Sequence, residues 1–300
     1  MLARLTALRP NRTLLMWAIL AVLVLWGIGQ FDFVGALDQI ASVSPIKFLI
    51  VALISMLHIA IVASRWWLIC RSFGYEVGFR DALLINTHGS FLQNFTPGGV
   101  ALDVVRVLGH KKAGIDRWGL LFMTVFDKGL LALVTLIVAA SVLQVRYLEW
   151  PAQFVVLIAV GAALAILSVG LAGCRVLVPG SRMKIPKVPL PMQIGMLVLA
   201  TTTIFEFALI YYLIVSFLMD LSIGFGSAML FPVSVLVSSI PITPGGFGVR
   251  EIVSVLTLEG TSGLDKESLI VTSTLFGLVF VVGTAVASLA ALLSAQISKQ

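Results

Sequence analysis

Two copies of the tetrapeptide Thr-Pro-Gly-Gly, at Thr96–Gly99 and Thr243–Gly246, are the residues best suited to binding chemistry in this sequence. Threonine is a good helix N-cap and proline a good first helical residue, so we expect helices over Pro97–Gly109 and Pro244–Leu258. The free N–H groups and positive dipole end of such a helix attract phosphate or carboxylate, and paired glycines let the anion approach. The alternative is a pair of packing kinks that bind nothing.

Several ionisable residues lie inside otherwise apolar stretches. A charge at the centre of a membrane costs about 2.5–3.5 kcal/mol even on the lenient insertion scale, so these side chains should line a shared cavity. Asp103 and Arg106 are three residues apart on one helix face and can pair with each other. Asp127 and Lys128 are neighbours that point to different sides of a helix, so we expect their partners to come from other segments.

The same reasoning applies to the second half of the chain. The adjacent residues Arg250 and Glu251 should also find partners elsewhere, and Arg250 follows Pro244 closely enough to help hold a phosphate at that helix end. Glu206 is the one acid of its apolar stretch. It could carry protons, serve as a counter-ion for Arg250 or be a buried protonated acid. His58 suits packing or hydrogen bonding better than a proton relay.

The composition indicates the environment in which these residues act. The 300 residues are 59% hydrophobic and 11% charged, with a mean hydropathy of +1.09. Soluble domains are roughly 45–50% apolar and about 25% charged, so the composition excludes a soluble or disordered chain and indicates an integral membrane protein. Two cysteines and three histidines give neither a disulfide framework nor a metal cage, and no cofactor or metal is expected. The net charge of +6 reports membrane topology rather than a nucleic-acid partner.

Apolar stretches of about 20 residues predict six full transmembrane helices. Two further apolar regions are broken by the tetrapeptides, and each arm is too short to cross comfortably, so we predict two re-entrant helical hairpins. The predicted fold is an all-α polytopic membrane protein. The six spans are Leu14–Phe33, Ile46–Ser64, Trp118–Leu143, Ala152–Gly173, Met192–Met219 and Ser268–Gln296, and the two hairpins are Phe79–Gly109 and Phe225–Glu259.

The order of these elements repeats. Each half of the chain consists of two spans, a broken hairpin and a third span. The separation in sequence between Thr96 and Thr243 is almost the same as that between Trp118 and Ser268. The first half has an odd number of full spans, so the second half should insert in the opposite direction. We therefore predict one membrane domain, 1–300, with inverted repeats of about 1–150 and 151–300. Most of the 20 Lys and Arg residues then fall on one side, which places both termini in the cytoplasm of an inner-membrane protein.

Several of these stretches together match a known pattern. The chain resembles the flippase-like integral membrane family, typified by the transmembrane part of lysylphosphatidylglycerol synthase. The resemblance covers essentially the whole chain, and Pro-Gly-Gly-Phe-Gly-Val-Arg-Glu from Pro244 is its most specific signature. It further rests on Arg65-Trp66 with Leu68, Phe95–Gly99 with Asp103 and Arg106, the acidic-basic pair Asp127-Lys128, and Glu206.

The sequence departs from the family pattern in two places. Ala101 and Leu102 stand before Asp103 where another glycine is expected. Asp127-Lys128 stands where Glu-Arg is commoner, and lysine cannot reproduce the bidentate fork of arginine. The chain ends at Gln300 without the soluble synthase domain, so the resemblance does not imply synthesis of aminoacylated lipid.

The resemblance implies movement of lipids between leaflets, and we expect translocation of an anionic phospholipid or lipid-linked molecule rather than enzymatic catalysis. The alternatives are an ion-coupled secondary transporter of a small anion and an accessory membrane subunit of a lipid-modifying enzyme. The expected partners are membrane lipids, with a homodimer and a lipid-modifying enzyme as further partners left open. The candidate substrate-binding residues are Arg65, Asn94, Thr96, Pro97, Gly98, Gly99, Asp103, Arg106, Asp127, Lys128, Glu206, Thr243, Pro244, Gly245, Gly246, Arg250 and Glu251.

Overall fold

The computed structural model describes residues 33–110, 117–147 and 188–297. Two of the predicted spans, 14–33 and 152–173, lie outside these residues, except for Phe33. Within the described residues the secondary structure is helical, and the one β-type contact is an isolated bridge. The prediction of an all-α fold is confirmed.

The helices are numbered in chain order. A short π-helical segment, Ile214–Leu218, extends α7. The α-helices are α1 Phe33–Ser42, α2 Pro45–Ser55, α3 Leu57–Ser72, α4 Phe79–Gln93, α5 Val100–Gly109, α6 Arg117–Tyr147, α7 Leu190–Leu213, α8 Phe225–Ala228, α9 Pro232–Ser238, α10 Val249–Ser262 and α11 Lys266–Ile297.

Four segments of the described part are long and apolar enough to cross a membrane. The first consists of α2 and α3, which follow each other at Met56 and extend the predicted second span to Ser72. All four coincide with predicted spans, and large apolar side chains on their outer faces are exposed, as expected for contact with lipid. The segments are Pro45–Ser72, Gly119–Val145, Leu190–Leu218 and Lys266–Ser294.

The two broken regions fold as helix–turn–helix units. The first hairpin, Phe79–Gly109, is α4 packed against α5, and the second hairpin, Phe225–Ser262, packs α9 against α10. The turns at their tips meet: Pro97 and Pro244 form the isolated antiparallel bridge, and the Gly245 N–H donates to the Thr96 carbonyl at 3.2 Å. The two tetrapeptides, distant in sequence, are therefore neighbours in space.

The expected helix starts at Pro97 and Pro244 are wrong. The helices begin later, at Val100 and Val249, because the glycine before each one has a positive φ that an α-helix does not allow. Each tetrapeptide forms a turn ahead of its helix. Arg250 is consequently the second residue of α10, whereas the predicted helix start placed it nearly two helical turns after the first residue.

Two clusters of apolar side chains form the core and share α7. One joins α3, α6 and the first half of α7, around Trp66, Met123 and Ile204. The other joins the second half of α7 to α2, the second hairpin and α11, around Phe207 and Phe276. Residues of both clusters, among them Ile204, Phe207 and Phe276, line the cavity described below.

Candidate functional site

A cavity of about 210 Å³ lies beside the two turns. Its wall has a polar side, which includes the arginines of both halves of the chain, and an aromatic side. The aromatic side is formed by Phe207 on α7, Phe247 after the second turn, and Phe276 and Phe280 on α11. Both glycines of each tetrapeptide line it as well. The cavity thus combines cationic, backbone and apolar surfaces, as ligand pockets usually do.

The first turn is closed by its own threonine. Gly98 and Gly99 have φ values of 56° and 70°, which only glycine adopts readily. The Thr96 hydroxyl accepts a hydrogen bond from the Ala101 N–H at 3.0 Å, which satisfies one of the free donors at the start of α5. A Cβ atom on Gly98 would lie 2.5 Å from the Ser239 carbonyl oxygen, so this glycine allows the second hairpin to approach.

The second turn is closed differently. Gly245, Gly246 and Gly248 all have positive φ, and the Glu251 carboxylate accepts a hydrogen bond from the Gly248 N–H at 2.5 Å. The hydroxyl of Thr243, by contrast, is buried without a partner in the described residues. A glutamate therefore caps α10, whereas a threonine caps α5.

Both turns lie beside the middle of the span Lys266–Ser294. Asn94, just before the first turn, donates from Nδ2 to the Thr284 hydroxyl at 3.0 Å. Just after the second turn, Arg250 and Phe247 pack so closely against Gly277 that a Cβ atom there would overlap both of them. Residues 277 and 284 bracket the centre of the span, so the turns are level with its middle rather than with either end.

Asp127 holds two arginines together in the described part of the first half. Its carboxylate accepts from Arg65 Nε at 2.6 Å and from Arg106 Nη1 at 3.0 Å. Arg65 also donates to the Thr203 hydroxyl at 2.6 Å, and Arg106 donates to Asn86 Oδ1 at 2.8 and 3.1 Å. All three charged side chains are almost fully buried. One carboxylate therefore compensates two cations, and the cluster keeps a net positive charge.

The expected pairing of Asp103 with Arg106 is wrong. Asp103 instead receives a hydrogen bond from Lys128 Nζ at 2.6 Å, and Arg106 turns inward, where its guanidinium lies 4.1 Å from the Trp66 ring centre. Asp127 and Lys128 do find partners on other segments, as predicted. Lys128 is 46% exposed and lies at the edge of the cavity, so this pair differs from the buried cluster behind it.

Arg250 has fewer polar partners. It pairs with its neighbour Glu251, with Nη2 3.0 Å from the carboxylate, which corrects the expectation that the two would find separate partners. Its guanidinium lies 4.9 Å from the Phe247 ring centre and 5.7 Å from that of Phe276. Its Nε is buried and donates to no described group. An arginine with an unused N–H in a cavity can accept an anionic ligand.

Glu206 pairs with His58 in the described residues rather than with Arg250. The His58 Nδ1 and Glu206 Oε2 atoms are 3.0 Å apart, and both side chains are buried. His58 lines the cavity, whereas Glu206 lies behind it. The counter-ion role for Arg250 is therefore wrong, since Arg250 pairs with Glu251.

The structure brings most of the predicted site residues to the cavity wall. The remaining six support those that line it: four belong to the two turns, and Glu206 and Glu251 are hydrogen-bonded behind the wall. The lining residues are Arg65, Asn94, Gly98, Gly99, Asp103, Arg106, Asp127, Lys128, Gly245, Gly246 and Arg250, and the supporting ones are Thr96, Pro97, Glu206, Thr243, Pro244 and Glu251.

The sequence prediction omitted several residues of the site. Thr203, a partner of Arg65, lies three residues before Glu206 and so shares its helix face, which was a usable signal. Asn86, the partner of Arg106, lies in the opposite arm of the first hairpin and could have been found by pairing the two arms. The aromatic wall, by contrast, has no sequence signal that separates it from ordinary core.

Comparison with known families identifies the class of this membrane protein. The family model described as "Lysylphosphatidylglycerol synthase TM region" matches residues 13–288. The chain therefore belongs to this family, a multi-pass membrane domain linked to lipid handling or flipping. No curated protein matches the chain. The resemblance inferred from the sequence motifs is confirmed.

Proposed function

We propose that this protein moves an anionic phospholipid or a lipid-linked molecule between the leaflets of the cytoplasmic membrane, with the head group held in the cavity. The observation that carries the proposal is Arg250, which is buried beside the second turn with an Nε–H that no described group accepts. A phosphate oxygen supplies the acceptor that this donor lacks, and it adds negative charge to a wall that is rich in arginine.

The depth of the turns supports a re-entrant arrangement. The contacts of Asn94 and Arg250 with the middle of the span Lys266–Ser294 are those expected if the hairpins enter the membrane, turn near its centre and return. Backbone that is not helical is tolerated at that depth only where protein or water covers it, and here each turn covers the other. We further propose that the two hairpins belong to inverted repeats, 1–150 and 151–300, of one membrane domain with both termini in the cytoplasm.

The position of the cavity edge favours a lipid over a soluble anion. Asp103 and Lys128 mark this edge, on α5 and α6. The residues one turn before them, Val100 and Val125, are exposed, as is Leu121 on the same face of α6. A molecule bound there can place its charged head group among the arginines while its acyl chains lie against these apolar side chains.

The ion pairs suggest how the head group is handled. The Asp127 cluster is buried, and both oxygens of its carboxylate accept hydrogen bonds from arginine, so it acts as a fixed positive wall. The Asp103–Lys128 pair is partly exposed and has one carboxylate oxygen without a partner, so it can open at low cost. In this proposal Lys128 exchanges Asp103 for the phosphate of an entering lipid. Movement of one repeat against the other then exposes the site to the opposite leaflet.

Leaflet exchange in proteoliposomes tests the proposal. Vesicles of phosphatidylcholine and phosphatidylglycerol would carry a trace of fluorescent phosphatidylglycerol, and exchange would be followed by quenching of the outer leaflet. A charge-assisted hydrogen bond contributes about 1.5–3 kcal/mol, so Arg250→Ala should slow exchange by roughly 10-fold to 150-fold. Arg71→Ala is the matched control, because Arg71 is exposed at the end of α3 and stacks on Trp67 outside the cavity.

Each outcome of this experiment has a defined meaning. Exchange that depends on the protein and on Arg250, but not on Arg71, supports the proposal. Full exchange by Arg250→Ala at wild-type protein content overturns the head-group site. Uptake of soluble phosphate without lipid exchange would favour a transporter of small anions. A protein that does neither, and that retains its cellular role after neutralisation of the cavity charges, would favour an accessory subunit of a lipid-modifying enzyme.

A further inference from the structure

His58 on α3, which lines the cavity, and Glu206 on α7, which lies behind it, form a hydrogen-bonded pair that the handling of the head group proposed above does not use. Their side chains are 8% and 7% exposed, and the ring nitrogen Nδ1 and the carboxylate oxygen Oε2 are 3.0 Å apart. The other oxygen of the carboxylate, Oε1, is buried and has no hydrogen-bond partner in the described residues. A buried carboxylate oxygen without a donor is a natural position for a proton, which would turn it into a donor itself.

Two aromatic rings pack against the histidine of this pair. The His58 ring stacks on Phe207 with 4.9 Å between centroids and meets the edge of Phe280 at 5.2 Å. Arg65 and Arg250, which line the same cavity as His58, are engaged elsewhere, since Arg65 is bonded to Asp127 and Arg250 to Glu251. No arginine or lysine in the described part of the chain therefore pairs with Glu206. The charged groups facing the cavity that His58 also lines are Arg65, Asp103, Arg106, Asp127, Lys128 and Arg250.

The helices connect this pair mechanically to the charged cluster. His58 precedes Arg65 by seven residues on α3, and Glu206 follows Thr203 by three on α7, while Arg65 and Thr203 are hydrogen-bonded to each other. Seven residues of α-helix span about 10 Å. A change in the hydrogen bond between His58 and Glu206 therefore acts on the same two helices that position Arg65.

We propose that His58 and Glu206 form a proton-binding site that couples a proton gradient to movement of the head group. This inference rests on the proposed function. With a neutral imidazole and a carboxylate the pair carries one negative charge, and a proton taken from water onto Glu206 Oε1 makes it neutral. A bound anion adds negative charge to the cavity, so anion and proton favour each other's binding. On the other side of the membrane, release of the proton to water restores the negative pair and weakens the hold on the anion.

The pH gradient supplies the test. Proteoliposomes of phosphatidylcholine and phosphatidylglycerol would contain a trapped pH dye, and exchange of fluorescent phosphatidylglycerol would be measured with and without an imposed gradient. For the wild type we expect an imposed pH gradient to change the rate of lipid exchange at least threefold. The direction of the gradient should decide whether the rate rises or falls, and the dye should report proton movement. The Glu206→Gln side chain has nearly the same shape but cannot bind a proton. In this variant the ratio of the exchange rates with and without the gradient should therefore fall to one. Glu259→Gln, at an exposed acid paired with Lys266, should keep the wild-type ratio.

The outcomes separate this inference from the function on which it rests. Absence of exchange by the wild type under every condition overturns the proposed function itself. Exchange by the wild type with a ratio of one, or a wild-type ratio in Glu206→Gln, overturns the proton site and leaves lipid movement intact. If Glu206→Gln does not fold, His58→Gln replaces it, and the wild-type ratio alone still decides whether a proton is coupled.

Discussion

The two hairpins carry the same tetrapeptide and the same following Val-Arg pair, yet their polar groups are used differently. In the first hairpin the Thr96 hydroxyl caps α5, and Arg106 is bonded to Asp127 and Asn86 and covered by Trp66. In the second hairpin the Thr243 hydroxyl and the Nε of Arg250 are buried without partners in the described residues.

This difference indicates a division of roles. An identical motif sets the turn, but the side chains supplied by other helices decide what the motif does. Asp127 and Asn86 satisfy the first arginine and make it part of the wall. The second arginine has its neighbour Glu251, whose carboxylate is shared with the cap of α10, and one donor remains free. We therefore expect substitution of these polar residues in the first hairpin mainly to lower the stability of the protein. Substitution in the second hairpin should mainly slow transport.

The largest effect on stability is expected for Asp127→Asn. This change leaves the buried Arg65 and Arg106 without a counter-charge, which costs about 3–5 kcal/mol for a buried pair. Thermal unfolding of the purified protein in detergent measures it. Asp220→Asn is the control, because the Asp220 side chain is 76% exposed in its pair with Lys47 and should contribute at most about 1 kcal/mol. Equal losses from both variants would contradict the assignment of Asp127 as the centre of a buried cluster.

A smaller effect is expected where the hairpins touch. Gly98 and Gly99 both have positive φ, so alanine strains either position, by about 1 kcal/mol. An added Cβ at Gly98 meets the backbone of Ser239 and Pro241, whereas at Gly99 the nearest atom is the flexible end of Gln93 at 3.4 Å. Overpacking costs a further 1–3 kcal/mol or so, hence Gly98→Ala should lower the free energy of unfolding by about 2–4 kcal/mol. Thermal unfolding of the two alanine variants side by side measures the difference, and its absence would mean that the turns do not meet.

The smallest effect distinguishes the two threonines. Thr96→Val removes the hydroxyl that accepts from the Ala101 N–H, and loss of a helix cap costs about 1 kcal/mol. Thr243→Val removes a buried hydroxyl without a partner in the described residues, so stability should be unchanged or slightly improved. Unfolding of both variants in one detergent provides the comparison. A loss for Thr243→Val as large as that for Thr96→Val would show that the second hydroxyl has a structural partner.

Much of the fold could be predicted from the sequence, because membrane spans are set by length and apolarity alone. The four spans in the described part follow the predicted ones, and both hairpins break at their tetrapeptides. The helix starts were wrong by a few residues. Proline at a helix start is a statistical preference, whereas the positive φ of Gly99 and Gly248 ends the turn and decides where each helix begins.

The sequence predicted which residues belong to the site, but not which of them pair with each other. Charge inside apolar stretches identified Asp127 and Glu206 without a structure. Spacing along one helix favoured a bond between Asp103 and Arg106, and the fold overrode it because Asp127 and Asn86 come from neighbouring helices. Sequence periodicity reports which residues share a face, but not which helix packs against that face.

The measurement that tests the central claim most directly is a disulfide between the two turns. An antiparallel bridge places opposed Cα atoms about 4.5–5.5 Å apart, within the range of a disulfide, so Pro97→Cys with Pro244→Cys should cross-link under mild oxidation. The background would carry alanine at Cys70 and Cys174, and Pro97→Cys with Ser262→Cys, at the far end of α10, is the control pair. Rapid cross-linking of the first pair in membranes, with none in the control, is the predicted result. Failure of the first pair to cross-link in folded protein would contradict the account.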